Sequence, residues 1–143
     1  MKSIGLLRAS AGLCLVAIVL TALACGGNKD NGAPVSASLK DFSITLDKSS
    51  IEAGKITFKI DNAGPATHEL ALFKTDLEAS KLPVVNNLVP EDSPQLELID
   101  EAESIKSGSS KKLTVDLPAG HYVLICNVLA HYGQGMYADF NVK

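Results

Sequence analysis

Apolar residues in this chain recur at every second position, in short runs set off by turn signals. In KITFKID the apolar positions are Ile56, Phe58 and Ile60, and in KKLTVDL they are Leu113, Val115 and Leu117. Phe42, Ile44 and Leu46 repeat the pattern ahead of a glycine turn at Gly54. A period of two places such side chains on one face of an extended strand, whereas a helix needs a spacing of three to four. HELALFKT follows the turn NAGPA, HYVLIC follows PAG, and MYADFNV closes the chain, each a further strand. Short strands with turns at this spacing predict an all-β, antiparallel β-sandwich. A parallel α/β fold would alternate strands with helices, and that alternation is missing.

Residues 76–107 break the pattern. They carry Pro83, Pro90 and Pro94 and eight acids against Lys81 and Lys106. The segment is too long for a hairpin loop. It reads as an excursion between the two sheets, with one short helical turn and one short strand at QLELI. Its charge is expected to form a solvated surface; the other reading is an acidic docking face for a basic redox partner.

The first 24 residues stand apart from the domain. Lys2 and Arg8 precede an apolar run from Leu13 to Ala24. That run is shorter than the roughly 20 residues of a membrane-spanning helix but suits an export signal. Ala22 and Ala24 lead into Cys25, which resembles the lipobox of bacterial lipoproteins, although Ala22 stands where leucine is usual. The resemblance implies a signal peptide over 1–24 and lipidation of Cys25. GGNKDNGAP then reads as a flexible tether over 25–34, of about 15–18 Å, leading to a domain over 35–143. The expected location is outside the cytoplasm, on the periplasmic or extracellular face, with a lipid anchor in the cell membrane. Residues 25–143 hold eleven lysines, no arginine and sixteen acids, a net charge of −5. Clustered basic charge is therefore absent, and nucleic acid is not an expected partner.

With Cys25 acylated, Cys126 has no intramolecular partner, so it must be reactive, paired between chains or metal-bound. It opens the stretch CNVLAHYGQGMYADF, which also holds His131 and Met136. Along HYVLIC, Tyr122, Leu124 and Cys126 share one face, and Val123 and Ile125 the other. The residues that follow must form a loop, with Gly133 and Gly135 supplying backbone freedom, and the loop can return His131 and Met136 to the Cys126 sulfur. Thiolate, imidazole and thioether are soft or borderline donors and suit copper better than magnesium or calcium. An electron-transfer copper site needs a second imidazole. His121 lies five residues before Cys126 on the same strand, at the opposite end of the sandwich at about 3.3 Å per residue, and is expected to be an exposed turn residue. His68, which starts the strand after NAGPAT, can lie beside the Cys126 loop.

NAGPATHELALFKTD followed by CNVLAHYGQGM resembles the cupredoxins, the small blue copper proteins, over residues 35–143. The resemblance implies a Greek-key β-sandwich, one type 1 copper ion with His68, Cys126 and His131 in the equatorial plane, and Met136 as the weak axial ligand. It implies one-electron transfer, not enzymatic catalysis, by a monomer serving a redox protein partner such as a c-type cytochrome or a terminal oxidase or reductase. Leu129 and Ala130 stand where many relatives have Pro-Gly. Backbone amides near Glu69 or Asn127 are expected to donate to the Cys126 sulfur, and the apolar surroundings of His131 to form a docking patch. Two other readings remain. A Cys126–His131 nucleophile pair leaves Met136 unexplained, and a copper carrier of the same fold fits the ligands but not the single methionine after the signal.

Overall fold

The computed structural model describes residues 34–143; the expected signal peptide over 1–24, Cys25 and the part of the expected tether before Pro34 lie outside the described residues. Nine strands follow in order: β1 (Val35–Lys40), β2 (Ser43–Leu46), β3 (Ser50–Ile51), β4 (Gly54–Asn62), β5 (His68–Lys74), β6 (Glu97–Ile105), β7 (Ser110–Leu117), β8 (Gly120–Ile125) and β9 (Tyr137–Val142). They form two facing sheets, of order β2-β1-β4-β7 and β3-β9-β8-β5-β6. The sandwich is present, but its sheets are mixed: β1 runs parallel to β4, and β3 parallel to β9. The cause is that the chain leaves the first sheet after β2, touches the edge of the second as β3, and returns as β4 beside β1.

Alternation predicts the inner face of the first sheet correctly. Ile56, Phe58 and Ile60 of β4 and Leu113, Val115 and Leu117 of β7 all point into the core. They meet Leu70, Leu72, Tyr122, Leu124 and Phe140 from the second sheet. Phe58 and Phe140 cross the sandwich in an edge-to-face contact, ring centroids 5.3 Å apart, the arrangement their quadrupoles favour. The Tyr122 hydroxyl donates to the Pro118 carbonyl at 2.8 Å, so its polar tip is paired inside the core.

The second sheet is buried on both faces at its centre, which alternation alone does not reveal. Ala71, Phe73, Val123 and Ile125 point away from the main core into a second cluster, closed by Ala79, Leu82, Val89, Leu96 and Tyr132. The excursion over 76–96 supplies most of that cover. It contains the expected helical turn, a 3-10 turn at Ala79–Lys81. The strand expected at QLELI is longer than QLELI suggests: β6 runs for nine residues through DEAES and pairs with β5. Its acids mark an edge position, where charge discourages pairing with another chain.

Phe58→Ala removes one ring of the cross-sandwich pair and leaves a cavity between the sheets. It is expected to cost about 3–5 kcal/mol, read as a lower midpoint in urea unfolding of the metal-free protein.

Candidate metal centre

β5 and β8 are antiparallel neighbours, registered as Ala71 with Ile125 and Phe73 with Val123. That register carries the first residue of β5, His68, and the residue after β8, Cys126, to the same end of the sandwich. Both are fully buried. From Cys126 the chain makes a loop and returns at Met136, whose carbonyl accepts from the Cys126 N–H at 3.0 Å. Within the loop, His131 N–H donates to Val128 O at 2.9 Å and Met136 N–H to His131 O at 3.2 Å. These bonds fold the imidazole back over the sulfur.

Cys126 Sγ lies 3.4 Å from His131 Nδ1 and 3.7 Å from His68 Nδ1, and the two nitrogens are 3.2 Å apart. The point equidistant from the three atoms falls inside their triangle, about 2.0 Å from each, close to ordinary metal–imidazole and metal–thiolate bond lengths of about 2.0–2.3 Å. Among the described residues this is a donor group of the size and chemistry that holds a single ion. Met136, also fully buried, clusters with the three. A set of two imidazoles, a thiol and a thioether fits a soft or borderline transition metal and not an oxygen-seeking one.

The surroundings tune these donors. Burial pushes the Cys126 thiol up, while the backbone N–H groups of Glu69 and Val128 donate to the sulfur and pull it down. The Glu69 N–H stands 3.5 Å from Sγ, as expected from the sequence. The Asn127 N–H does not share that role; it serves the Glu69 carboxylate, and Val128 supplies the second donor instead. Burial, reinforced by His68 alongside, pushes the His131 imidazole down, which favours the neutral form that has a lone pair to offer. A fully buried thiol whose ionisation burial opposes is a poor nucleophile, and the Cys–His enzyme reading loses its footing. Burial, then the charge of Glu101, pushes the Glu69 carboxyl up, with Glu91 and Glu103 adding to it.

Residues outside the expected ligand set turn out to frame it. Asp41 Oδ1 lies 2.7 Å from His68 Nε2, and the Phe42 ring meets the His131 ring edge-on with centroids 5.0 Å apart. Asn62, a buried polar residue, donates to Ala66 O and Ile105 O and accepts from Gly64 N–H, fixing the turn that precedes His68. Its signal in the sequence is an Asn at a strand end that opens the NAGPA turn. Asp41 and Phe42 carried no such signal. The excursion also holds the ligand loop. Asn127 exchanges two hydrogen bonds with the backbone of Val89, at 2.8 and 2.9 Å, and Ala130 N–H donates to Asn87 O at 3.0 Å. The Tyr132 hydroxyl donates to Ala79 O and accepts from Leu82 N–H.

His121 is not a loose turn residue. It belongs to β8, is partly buried, and is pinned at the far end of the sandwich by Thr75 O at 2.8 Å and Asp139 Oδ1 at 3.0 Å. The glycines also differ from expectation. Gly135 has φ 102° and needs its freedom, Gly133 shows no such need, and Ala130 takes a left-handed φ of 68°.

No protein-family profile and no curated protein sequence matches the chain. Solved structures do. Reduced auracyanin from Roseiflexus castenholzii superposes with a TM-score of 0.54 at 22% identity, covering 78% of this chain and 99% of its own. Auracyanin A, a "blue" copper protein from Chloroflexus aurantiacus, gives 0.53 at 22% identity, covering 78% and 100%. Rusticyanin from Thiobacillus ferrooxidans gives 0.57 at 14% identity, covering 78% and 79%. These likenesses establish the fold as that of the cupredoxins.

A left-handed conformation costs a non-glycine residue about 1–2 kcal/mol, and glycine gives back about 0.4–1 kcal/mol of that through a freer unfolded chain. Ala130→Gly is therefore expected to stabilise the metal-free protein by about 0.5–1 kcal/mol, measured as a raised midpoint in chemical unfolding.

Proposed function

We propose that this chain holds one type 1 copper ion and shuttles single electrons between redox proteins. The observation that carries the proposal is the buried triangle of His68 Nδ1, Cys126 Sγ and His131 Nδ1, sized for one ion, with Met136 clustered beside it. His68, Cys126 and His131 are assigned as the equatorial ligands and Met136 as the weak axial one. Bound copper supplies a one-electron couple whose two states tolerate the same compromise geometry. The chain's part is to keep that geometry fixed. Three donors arrive already packed and hydrogen-bonded, and the N–H groups of Glu69 and Val128 stabilise electron density on the sulfur, which favours the reduced state.

The route in and out of the site follows from exposure. His68 and Cys126 are sealed, whereas His131 is only partly buried. All four exposed large hydrophobic side chains of the described residues, Val84, Val85, Leu88 and Leu129, lie on two segments that hydrogen-bond to each other beside His131. Glu91, which accepts from the Asn127 side chain, and the Glu69, Glu101 and Glu103 group border that region with negative charge. A partner with an apolar contact surface and a basic rim matches it, as a c-type cytochrome could present. Acidic charge would speed encounter, and the apolar patch would give the close approach needed for transfer. The export-signal pattern over 1–24 and the lipobox-like residues before Cys25 support a domain held on a short tether outside the cytoplasm. Acyl chains contribute about 0.8 kcal/mol per buried CH₂, so two or more suffice for a stable anchor.

Two measurements test the reading. Protein loaded with Cu(II) is expected to show an intense visible thiolate-to-copper band and a narrow copper hyperfine splitting. Cys126→Ser should abolish both, and His121→Ala should leave them intact. A colourless protein that gives Cu(I) quickly to a chelator would instead make it a copper carrier. For docking, Leu129→Asn should slow reduction by a c-type cytochrome about tenfold while leaving the visible spectrum unchanged, as followed by stopped-flow absorbance. Equal rates for both proteins would remove the patch from the docking surface.

A further inference from the structure

Two consecutive residues, Asp41 and Phe42, occupy the turn between β1 and β2 and touch the two imidazoles of the site, one each. Neither has been given a role by the ligand set or by the docking patch. The Asp41 contact is the tighter of the two: Oδ1 stands 2.7 Å from His68 Nε2, a charge-assisted hydrogen-bond length. We propose that Asp41 is a positioning residue, which fixes the ring of His68 with Nδ1 toward the metal and biases the couple toward its oxidised state. The inference rests on the copper reading above.

The chemistry of the pair dictates the first half. An ionised carboxylate can only accept, so the hydrogen of the neutral imidazole must sit on Nε2, and the Nδ1 lone pair is left facing Cys126 and His131. Among the described residues no other hydrogen-bond partner at Nε2 would then hold the ring's tautomer or orientation. A carboxylate behind an imidazole ligand also strengthens the imidazole as an electron donor.

The fold is built to permit this approach. A Cβ on Gly64 would fall 2.7 Å from Asp41 Oδ1 and 3.2 Å from His68 Nε2. Residue 64 must therefore lack a side chain for the two groups to meet. Asn62 holds Gly64 in place through its N–H at 2.9 Å, and Ala63 N–H donates to Leu39 O at 2.9 Å, tying the same turn to β1 just before Asp41. Two stretches of chain, 39–41 and 62–68, thus converge on one hydrogen bond.

The second half is electrostatic. The Asp41 side chain is about one-quarter exposed, whereas its partner His68 is fully buried, so the charge is screened on one side only. Asp41 touches the ring of His68, and the Nδ1 of that ring lies 3.2 Å from His131 Nδ1 and 3.7 Å from Cys126 Sγ, so the carboxylate sits close to all three donors. A negative charge felt by every equatorial donor stabilises the more positive metal state. It opposes the two N–H donors on the Cys126 sulfur, which favour the reduced state.

Asp41→Asn and Asp41→Ala separate the two effects, and Gly64→Ala displaces the carboxylate without removing it. In metal-free protein, nitrogen NMR of His68 is expected to show a single Nε2–H tautomer in wild type and in D41N, and a mixture in D41A. In copper-loaded protein, D41N is expected to keep the visible spectrum while the Cu(II)-to-Cu(I) affinity ratio falls about tenfold, a rise of about 59 mV in reduction potential. D41A and G64A should lower Cu(II) affinity by about 10–100-fold. If wild type is blue while D41A keeps one tautomer and D41N keeps the wild-type potential, Asp41 has no positioning role. If wild type does not form a blue site, the copper reading fails, and the apo NMR comparison still decides whether Asp41 sets the tautomer.

Discussion

The antiparallel ladder between β5 and β8 is the constraint on which the centre depends. Its register through Ala71 and Ile125 brings two donors from 58 positions apart to one sheet end. His68 must be the first residue of its strand and Cys126 the first beyond its own for both to face the same gap. A slip of one residue along either strand would turn the donor toward the opposite face of the sheet. What forbids the slip is burial on both sides. Phe73 and Val123 are committed to one cluster, and Leu72 and Leu124 to the other, so no alternative register keeps all four inside.

The excursion over 76–107 has a structural meaning that accounts for much of its composition. Its first part caps the outer face of β5 and β8, and its second part becomes the edge strand β6. Between them it grips the ligand loop at Asn127, Ala130 and Tyr132. The loop therefore does not rely on its own hydrogen bonds to keep His131 over the sulfur. This also explains how Leu129-Ala130 can stand in the loop. Ala130 accepts an unfavourable left-handed backbone because its N–H is anchored to Asn87, and Tyr132, two residues on, is bonded at both ends of its hydroxyl.

Local patterns were legible in the sequence, and partnerships across the fold were not. Period-two alternation marked β4 and β7 because each has one wet face, and it put Leu124 and Cys126 on one face of the β8 run, which the structure turns toward the main core. It fell short on β5 and β8 as a pair, since double burial erases the polar half of the pattern. The donors stood out because thiol, imidazole and thioether are rare in this chain, and only His68 and His121 competed as the second imidazole. Strand geometry separated those two, and the structure places His121 at the far end, bonded to Thr75 and Asp139. Asp41 left no trace of that kind. It is one acid among sixteen, next to a Phe read only as part of a strand pattern, and its meaning arises from a contact with Gly64 and His68 that no spacing encodes. Parallel pairing of β1 with β4 was equally hidden, because the side-chain period is the same in either direction.

The arrangement of charge around the site follows one logic. Burying three lone-pair donors within 3.7 Å of one another is unfavourable in the absence of a cation. The protein does not relieve this by letting the donors move apart, since each is held from outside the triangle. Cys126 is held by its N–H to Met136 O, His131 by its N–H to Val128 O, and His68 by Asp41 at its far nitrogen. These three restraints are made by atoms outside the triangle, while the Glu69 and Val128 N–H groups reach the sulfur itself. A site held open in this way resists the change of shape that would otherwise accompany a change of charge. In the electron-transfer reading proposed above, the rigid sandwich matters more than the ligands themselves.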